Sequence, residues 1–204
     1  MKVKICGITH PQDAEYAAGL GADYIGIIFA ESSKRKVGVR TAKEISLVAI
    51  SAGAEPVGVF ANETPDEIIS VCKETGIFRV QLHGEISRQA VHYLHDYLSI
   101  IYTIPVEKNG ILLQNESLPP TVTILYDSLK AGSGETFEWA DFSPPGNFRW
   151  ILAGGLNPDN VATAIALLNP YGVDVATGVE YPNTTRKDPA LVKAFIHAAN
   201  LSRR

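Results

Sequence analysis

The stretch Trp150-Ile151-Leu152-Ala153-Gly154-Gly155-Leu156-Asn157-Pro158 compresses one structural unit into a few residues. Trp150–Leu152 is a short apolar run of the kind that fills a buried strand. The glycine pair permits a sharp loop. Pro158 after Asn157 marks a helix start, because proline lacks only an N–H that the first turn leaves unbonded anyway. A helix-like stretch, Pro158–Leu168, follows.

The same order recurs along the chain. Further strand-like runs are Val3–Ile5, Tyr24–Phe29, Pro56–Phe60, Phe78–Leu82, Ile100–Ile104, Val122–Tyr126 and Val173–Ala176. Helix-like stretches are Pro11–Leu20, Thr41–Ala52, Pro65–Thr75, Ser87–Tyr97 and Pro189–Leu201. Pro11, Pro65 and Pro189 sit just inside helix starts, and Gly19, Gly53 and Gly76 sit at or just past helix ends. Strand-then-helix alternation demands parallel strands joined by right-handed crossovers. Eight units in 204 residues leave about 25 residues each, within the range of a small closed barrel. An open doubly wound sheet is the alternative, and eight units favour closure. The expected architecture is therefore a single-domain α/β (β/α)8 barrel over residues 1–204. Its fifth helix is degraded, because Glu107–Pro120 lacks helical periodicity, and Pro144–Gly146 shortens the sixth.

Composition narrows the function. The chain is 46% hydrophobic with a net charge of -4, which suits a globular fold and gives no electrostatic footprint for nucleic acid. No apolar run is long enough to cross a bilayer. Met1-Lys2-Val3-Lys4 leads straight into a strand, so neither a signal nor a transit peptide is expected, and the expected location is cytoplasmic. Cys6 and Cys72 cannot build a disulfide scaffold or a structural zinc site. Neither metal nor cofactor is expected; the expected partner is a small molecule. The helix faces carry no obvious surplus apolar stripe, so a monomer is the default and a homodimer the alternative.

In a parallel barrel the chemistry sits at the C-terminal ends of the strands. Those ends supply Cys6, Ser32, Ser33, Arg35, Asn62, Gln81, His83 and Asp127. Cys6 shares a strand face with Lys4, so an ammonium beneath the thiol would favour thiolate. The competing reading of Cys6 is a small buried apolar side chain. Asp127 follows a buried run, where desolvation raises a carboxyl pKa and suits a general acid; a helix cap is its other reading. Asp174 lies inside a strand and needs either a substrate hydroxyl or a structural partner such as Lys4. Gly154, Gly155 and Gly178 follow adjacent strands, where bare backbone N–H groups cradle phosphate in such barrels. Lys34-Arg35-Lys36 reads by default as a solvated loop. Cys72 reads as core. His92 and His95 lack a convergent ligand set and read as surface.

Taken in order, these motifs resemble the phosphoribosylanthranilate isomerase family of tryptophan biosynthesis over essentially the whole chain. The carrying segments are Lys4-Ile-Cys-Gly-Ile8, Ser33-Lys-Arg35-Lys-Val37, Gly58-Val-Phe-Ala-Asn62, Val80-Gln-Leu-His-Gly84 and Tyr126-Asp-Ser128. Further ones are Gly132-Ser-Gly134 with Phe137-Glu-Trp139, Leu152–Pro158, Gly172–Val175, and Gly178-Val-Glu180 with Lys187-Asp188. Lys34, Tyr126 and Ala176-Thr177 depart from the usual family residues. The resemblance implies an Amadori rearrangement of N-(5-phosphoribosyl)anthranilate without metal or cofactor. It makes Cys6 the general base and Asp127 the general acid. Arg35, Gln81, His83 and Asp174 become substrate-binding, and Gly154, Gly155 and Gly178 phosphate-binding. The parallel isomerisation of histidine biosynthesis, alone or in addition, would generally use aspartates at strands 1 and 5, where Cys6 and Ile104-Pro105 stand. A lyase closing the indole ring would need a catalytic lysine and glutamate set not seen here, and a non-catalytic phosphate-ligand barrel is the remaining alternative.

Overall fold

Every neighbouring pair of strands is parallel, and the last pairs with the first. In this computed structural model, which describes residues 1–112, 117–129, 136–140, 142–146 and 148–201, the strands close a barrel in chain order. They are β1 (Lys2–Ile5), β2 (Tyr24–Ile28), β3 (Glu55–Phe60), β4 (Arg79–Leu82), β5 (Ser99–Val106), β6 (Thr123–Ser128), β7 (Trp150–Leu152) and β8 (Gly172–Val175). The expected closed (β/α)8 architecture is the one found, with eight strands.

Seven helices are described: α1 (Pro11–Gly19), α2 (Val39–Ser51), α3 (Pro65–Thr75), α4 (Glu85–Gln89), α5 (Val91–Leu94), α6 (Val161–Leu168) and α7 (Pro189–Leu201). Local chemistry sets their ends. Thr64 and Glu67 form a reciprocal capping box at the start of α3, and Gly76 ends it at φ +71°. Each device satisfies backbone groups that a helix terminus leaves unpaired.

Several boundaries differ from expectation. The stretch Ser87–Tyr97 breaks into α4 and α5, with Ala90 between them. α6 begins at Val161, not Pro158, because Asn157 Oδ1 accepts from the backbone N–H groups of Asp159 and Asn160 and holds a turn there. β5 runs two residues past Ile104, to Val106. No described residue between β5 and β6, or between β6 and β7, is helical. The sixth unit thus lacks a described helix, where a shortened one was expected.

Alternation along the strands sorts the side chains. Tyr24, Val57, Ile101, Leu125, Ile151 and Ala153 pack together inside the barrel. The opposite strand faces, including Val3, Ile5, Ile25, Ile27 and Val173, join the helices in the larger core. Cys72 belongs to that core. Among the described residues no helix is long and apolar enough to cross a membrane. The outer wall is less uniformly polar than the sequence suggests: Phe78 is 74% exposed, and Tyr93 and Tyr97 are also exposed beside it. α5 stops at Leu94, so Tyr97 falls in a turn instead of on a helix face.

Gly26 on β2 makes the barrel interior possible. A Cβ there would lie 2.7 Å from Cys6 Sγ, 2.9 Å from Cys6 Cα and 3.1 Å from Lys4 Nζ. Replacing Gly26 by Ala therefore overpacks a backbone contact and should cost about 1–3 kcal/mol of stability. Chemical denaturation measures this, and an unchanged midpoint would contradict the close approach.

Candidate active site

The site is built upward from an ion pair inside the barrel. Lys4 is fully buried on β1, and its Nζ donates to Asp174 Oδ1 on neighbouring β8 at 3.0 Å. Burial opposes the ammonium charge, but Asp174 and Cys6 outweigh it and hold Lys4 above the ordinary lysine range. Cys6 follows two residues on, at the barrel mouth, and is buried. Burial pushes its thiol up, and the attraction of Lys4 recovers only part of that shift. Lys4 lies where the sequence places it and favours the thiolate as expected, but desolvation is the larger effect.

Asp127, the penultimate residue of β6, lies on the same inner face. Burial, reinforced by the charge of Asp174, pushes its carboxyl up to about 7, against the pull of Lys4 and a hydrogen bond from the Ser128 backbone. A carboxyl so placed holds its proton near neutral pH. His83, after β4, is pulled down to about 4 by burial and by the Lys4 and Arg88 charges, so it is neutral. Gln81 contacts His83 Nδ1 at 3.2 Å and Thr103 Oγ1 at 3.1 Å through its Nε2.

These groups wall a cavity of about 490 Å³, which brings together Cys6, Arg35, Gln81, His83, Asp127 and Asp174. A smaller pocket of about 50 Å³ adjoins it, lined by Gly154, Gly155 and Gly178. Asp127 and Asp174 border both spaces. The nine residues to which the resemblance gives roles therefore converge on one end of the barrel, with Ser32 and Ser33 beside them, whereas Asn62 lines neither space. Gly178 lies in a 3₁₀ turn, Thr177–Val179, packed so tightly on the loop after β7 that a Cβ would lie 2.0 Å from the Leu156 carbonyl oxygen. The segment Gly132-Ser133-Gly134 lies outside the described residues.

Arg35 departs from expectation. It is buried, not part of a solvated basic loop. Its Nε donates to Glu180 Oε1 at 2.6 Å and its Nη2 to Glu180 Oε2 at 2.9 Å. The bidentate edge that would suit a ligand carboxylate is thus occupied by a carboxylate of the protein. The side chain reaches this position across Gly7, whose φ is +69°; a Cβ there would lie 2.3 Å from Arg35 Cδ. Sequence reading assigned no role to Glu180 and Thr177, which bond the guanidinium, or to Lys187, which bonds Glu180. The only signal was the motif spanning Gly178–Glu180 and Lys187-Asp188; pairing across that loop is a tertiary fact. Among the described residues no group of three His, Cys, Asp or Glu is disposed to hold a metal ion.

A family model described as N-(5'phosphoribosyl)anthranilate (PRA) isomerase matches residues 3–198. The chain belongs to this family. An N-(5'-phosphoribosyl)anthranilate isomerase of Chlamydia caviae is 58% identical over 203 residues, spanning 99% of this chain and 98% of its own. The crystal structure of a phosphoribosyl anthranilate isomerase from Thermus thermophilus superposes with a TM-score of 0.84 at 31% identity, covering all of both chains. A family structure solved with reduced 1-(o-carboxyphenylamino)-1-deoxyribulose 5-phosphate gives 0.79 at 31% identity, covering 98% of each chain. Fold and family thus agree with the sequence resemblance.

The Asp127 carboxyl carries a stability consequence. Its folded-state value, about 7, lies above the ordinary 3.8, so the folded protein binds this proton more tightly than the unfolded chain does. The associated stability is present in acid and is lost as pH rises from about 4 through about 7. Asp127→Asn, which cannot ionise, should therefore gain in Tm relative to the parent as pH increases across that window. Thermal melts at pH 4.5 and pH 8 test it; an equal offset at both would contradict the raised value.

Proposed function

We propose that this family member converts N-(5-phosphoribosyl)anthranilate into 1-(2-carboxyphenylamino)-1-deoxyribulose 5-phosphate in tryptophan biosynthesis, with Asp127 as general acid and Cys6 as general base. The observation that carries this reading is the meeting of a carboxyl of pKa about 7 and a thiol on one cavity, beside a glycine-lined pocket. The substrate phosphate belongs in that pocket, against Gly154, Gly155 and Gly178. Its aromatic carboxylate belongs near Arg35, whose Nη1 makes no hydrogen bond among the described residues. Anchoring both ends holds the sugar between acid and base.

The chemistry follows from electron demand. As the ribose C1–O bond breaks, Asp127 gives its proton to the ring oxygen and the nitrogen lone pair forms a C1=N bond. That iminium acidifies the proton on C2. Cys6, as thiolate, removes it; the C2–H electrons form C1=C2 and the C=N pair returns to nitrogen. The enol then passes its hydroxyl proton away as C1 takes one up, leaving the ketone at C2. Lys4 and Lys187 both favour the thiolate against its burial. Neutral His83 and the Gln81 that contacts it form the side of the cavity facing β4 and β5, and Asp174 stays near the sugar while matched to Lys4.

Because Cys6 titrates above the ordinary thiol range and Asp127 near 7, only a minor fraction of molecules holds the proton on Asp127 while Cys6 is ionised. For such a pair log kcat/KM should rise with unit slope below pH 7 and level off above it. In Asp127→Asn the break near 7 should vanish; a break that persists assigns it elsewhere. Turnover, followed by loss of substrate fluorescence, should fall by about 10²–10⁴ in Cys6→Ala and in Asp127→Asn with the fold intact. Near-parental activity in either variant removes that residue from its role.

A further inference from the structure

Arg35 does not meet the cavity as a lone cation. Glu180 takes its Nε and Nη2, and Nη2 also donates to Thr177 Oγ1 at 2.7 Å. Both side chains are buried, 7% and 4% exposed. Seen from the cavity, opposite charges so close largely cancel, and a neutral pair is a weak receptor for an anion. Behind the pair lies Lys187, 2% exposed, whose Nζ donates to Glu180 Oε1 at 2.8 Å and to the Ala176 carbonyl oxygen at 3.0 Å. It does not line the large cavity.

Of the other cations nearby, Lys34 lines the cavity with an exposed side chain, while Lys4 and Arg186 have carboxylate partners. Lys4 is paired with Asp174. Arg186 is paired with Asp13 of α1, through Nε at 3.0 Å and Nη2 at 2.8 Å. Asp13 also accepts the Lys187 backbone N–H at 3.0 Å, so it fixes the loop that carries the lysine without touching its ammonium. Among the described charged groups of this wall, two buried cations, Arg35 and Lys187, share the single carboxylate of Glu180. The cluster therefore carries one positive charge in excess, in a poorly hydrated place where that charge is weakly screened.

We infer that Lys187, which touches neither the cavity nor the reacting atoms, is a specificity-determining residue: it restores the positive charge that Glu180 removes from Arg35 and so selects ligands bearing a carboxylate. Glu180 supplies the geometry, fixing one edge of the guanidinium and leaving Nη1 for the ligand. Lys187 supplies the charge. The inference rests on the reading of Arg35 as the group that meets the aromatic carboxylate.

The test measures affinity for two probes by calorimetry: reduced 1-(2-carboxyphenylamino)-1-deoxyribulose 5-phosphate and the same compound lacking the carboxyl group. The quantity read is the ratio of their Kd values, which a merely structural role would leave unchanged because both probes would weaken together. Lys187→Met should cut the preference for the carboxylate by about tenfold, the scale of one charge roughly 12 Å away at an effective dielectric constant of about 20. Adding Glu180→Gln removes the carboxylate that cancels Arg35, so the double variant should regain most of the preference. An unchanged ratio in Lys187→Met, or no recovery in the double variant, overturns the inference. Arg35→Met separates the two levels. A preference that survives it overturns the reading of Arg35 itself, whereas one lost there but kept in Lys187→Met overturns only the role of Lys187.

Discussion

An ammonium with no exposed surface must be matched by a carboxylate, and the Lys4–Asp174 pair meets that demand at 3.0 Å inside the barrel. Lys4 and Asp174 are also register partners across the β1–β8 pairing, so the pair sits on the seam that closes the barrel. Removing one partner of such a pair leaves a buried charge uncompensated, at a cost of about 3–5 kcal/mol. The same pair sets the electrostatics of the cavity above it. Asp174 helps to hold the proton on Asp127, while Lys4 opposes protonation of His83 and draws Cys6 toward thiolate. Closure of the fold and tuning of the site rest on one interaction.

Missing side chains matter to the site as much as present ones do. Gly26 leaves room for Cys6 and Lys4 on the inner face, and Gly7 lets Arg35 cross behind the thiol. Gly178 lets the loop after β8 press on the loop after β7, which brings Gly154 and Gly155 beside it in one small pocket. The two spaces meet at Asp127 and Asp174, so a ligand long enough to occupy both would pass these two carboxyl groups. Arg35, Glu180 and Lys187 then form a charged wall tied through Asp13 to α1, so its geometry belongs to the scaffold and not to the loop alone.

Much of this was legible along the chain because it repeats. Period-two alternation put Lys4 and Cys6 on one strand face, and strand-end position grouped Cys6 and Asp127 with Gln81, His83 and the glycines. Other features could not be read that way. Asn157-Pro158 resembles a helix start, yet an Asn side chain captures the following N–H groups and delays the helix to Val161. Ser87–Tyr97 has one continuous pattern but forms two short helices. Arg35 sits in a basic tripeptide that reads as solvated, and only its neighbours in space make it buried.

The sequence by itself determined the barrel, the family and which residues gather at the mouth, because strand alternation, glycine and proline placement and motif order are local or periodic signals. The tertiary structure alone decided that burial outweighs the pull of Lys4 at Cys6, and which carboxylate Arg35 meets. Those depend on how much water each group loses and which charges stand within a few ångströms, and residues 145 positions apart, such as Arg35 and Glu180, acquire that relation only when the chain closes on itself.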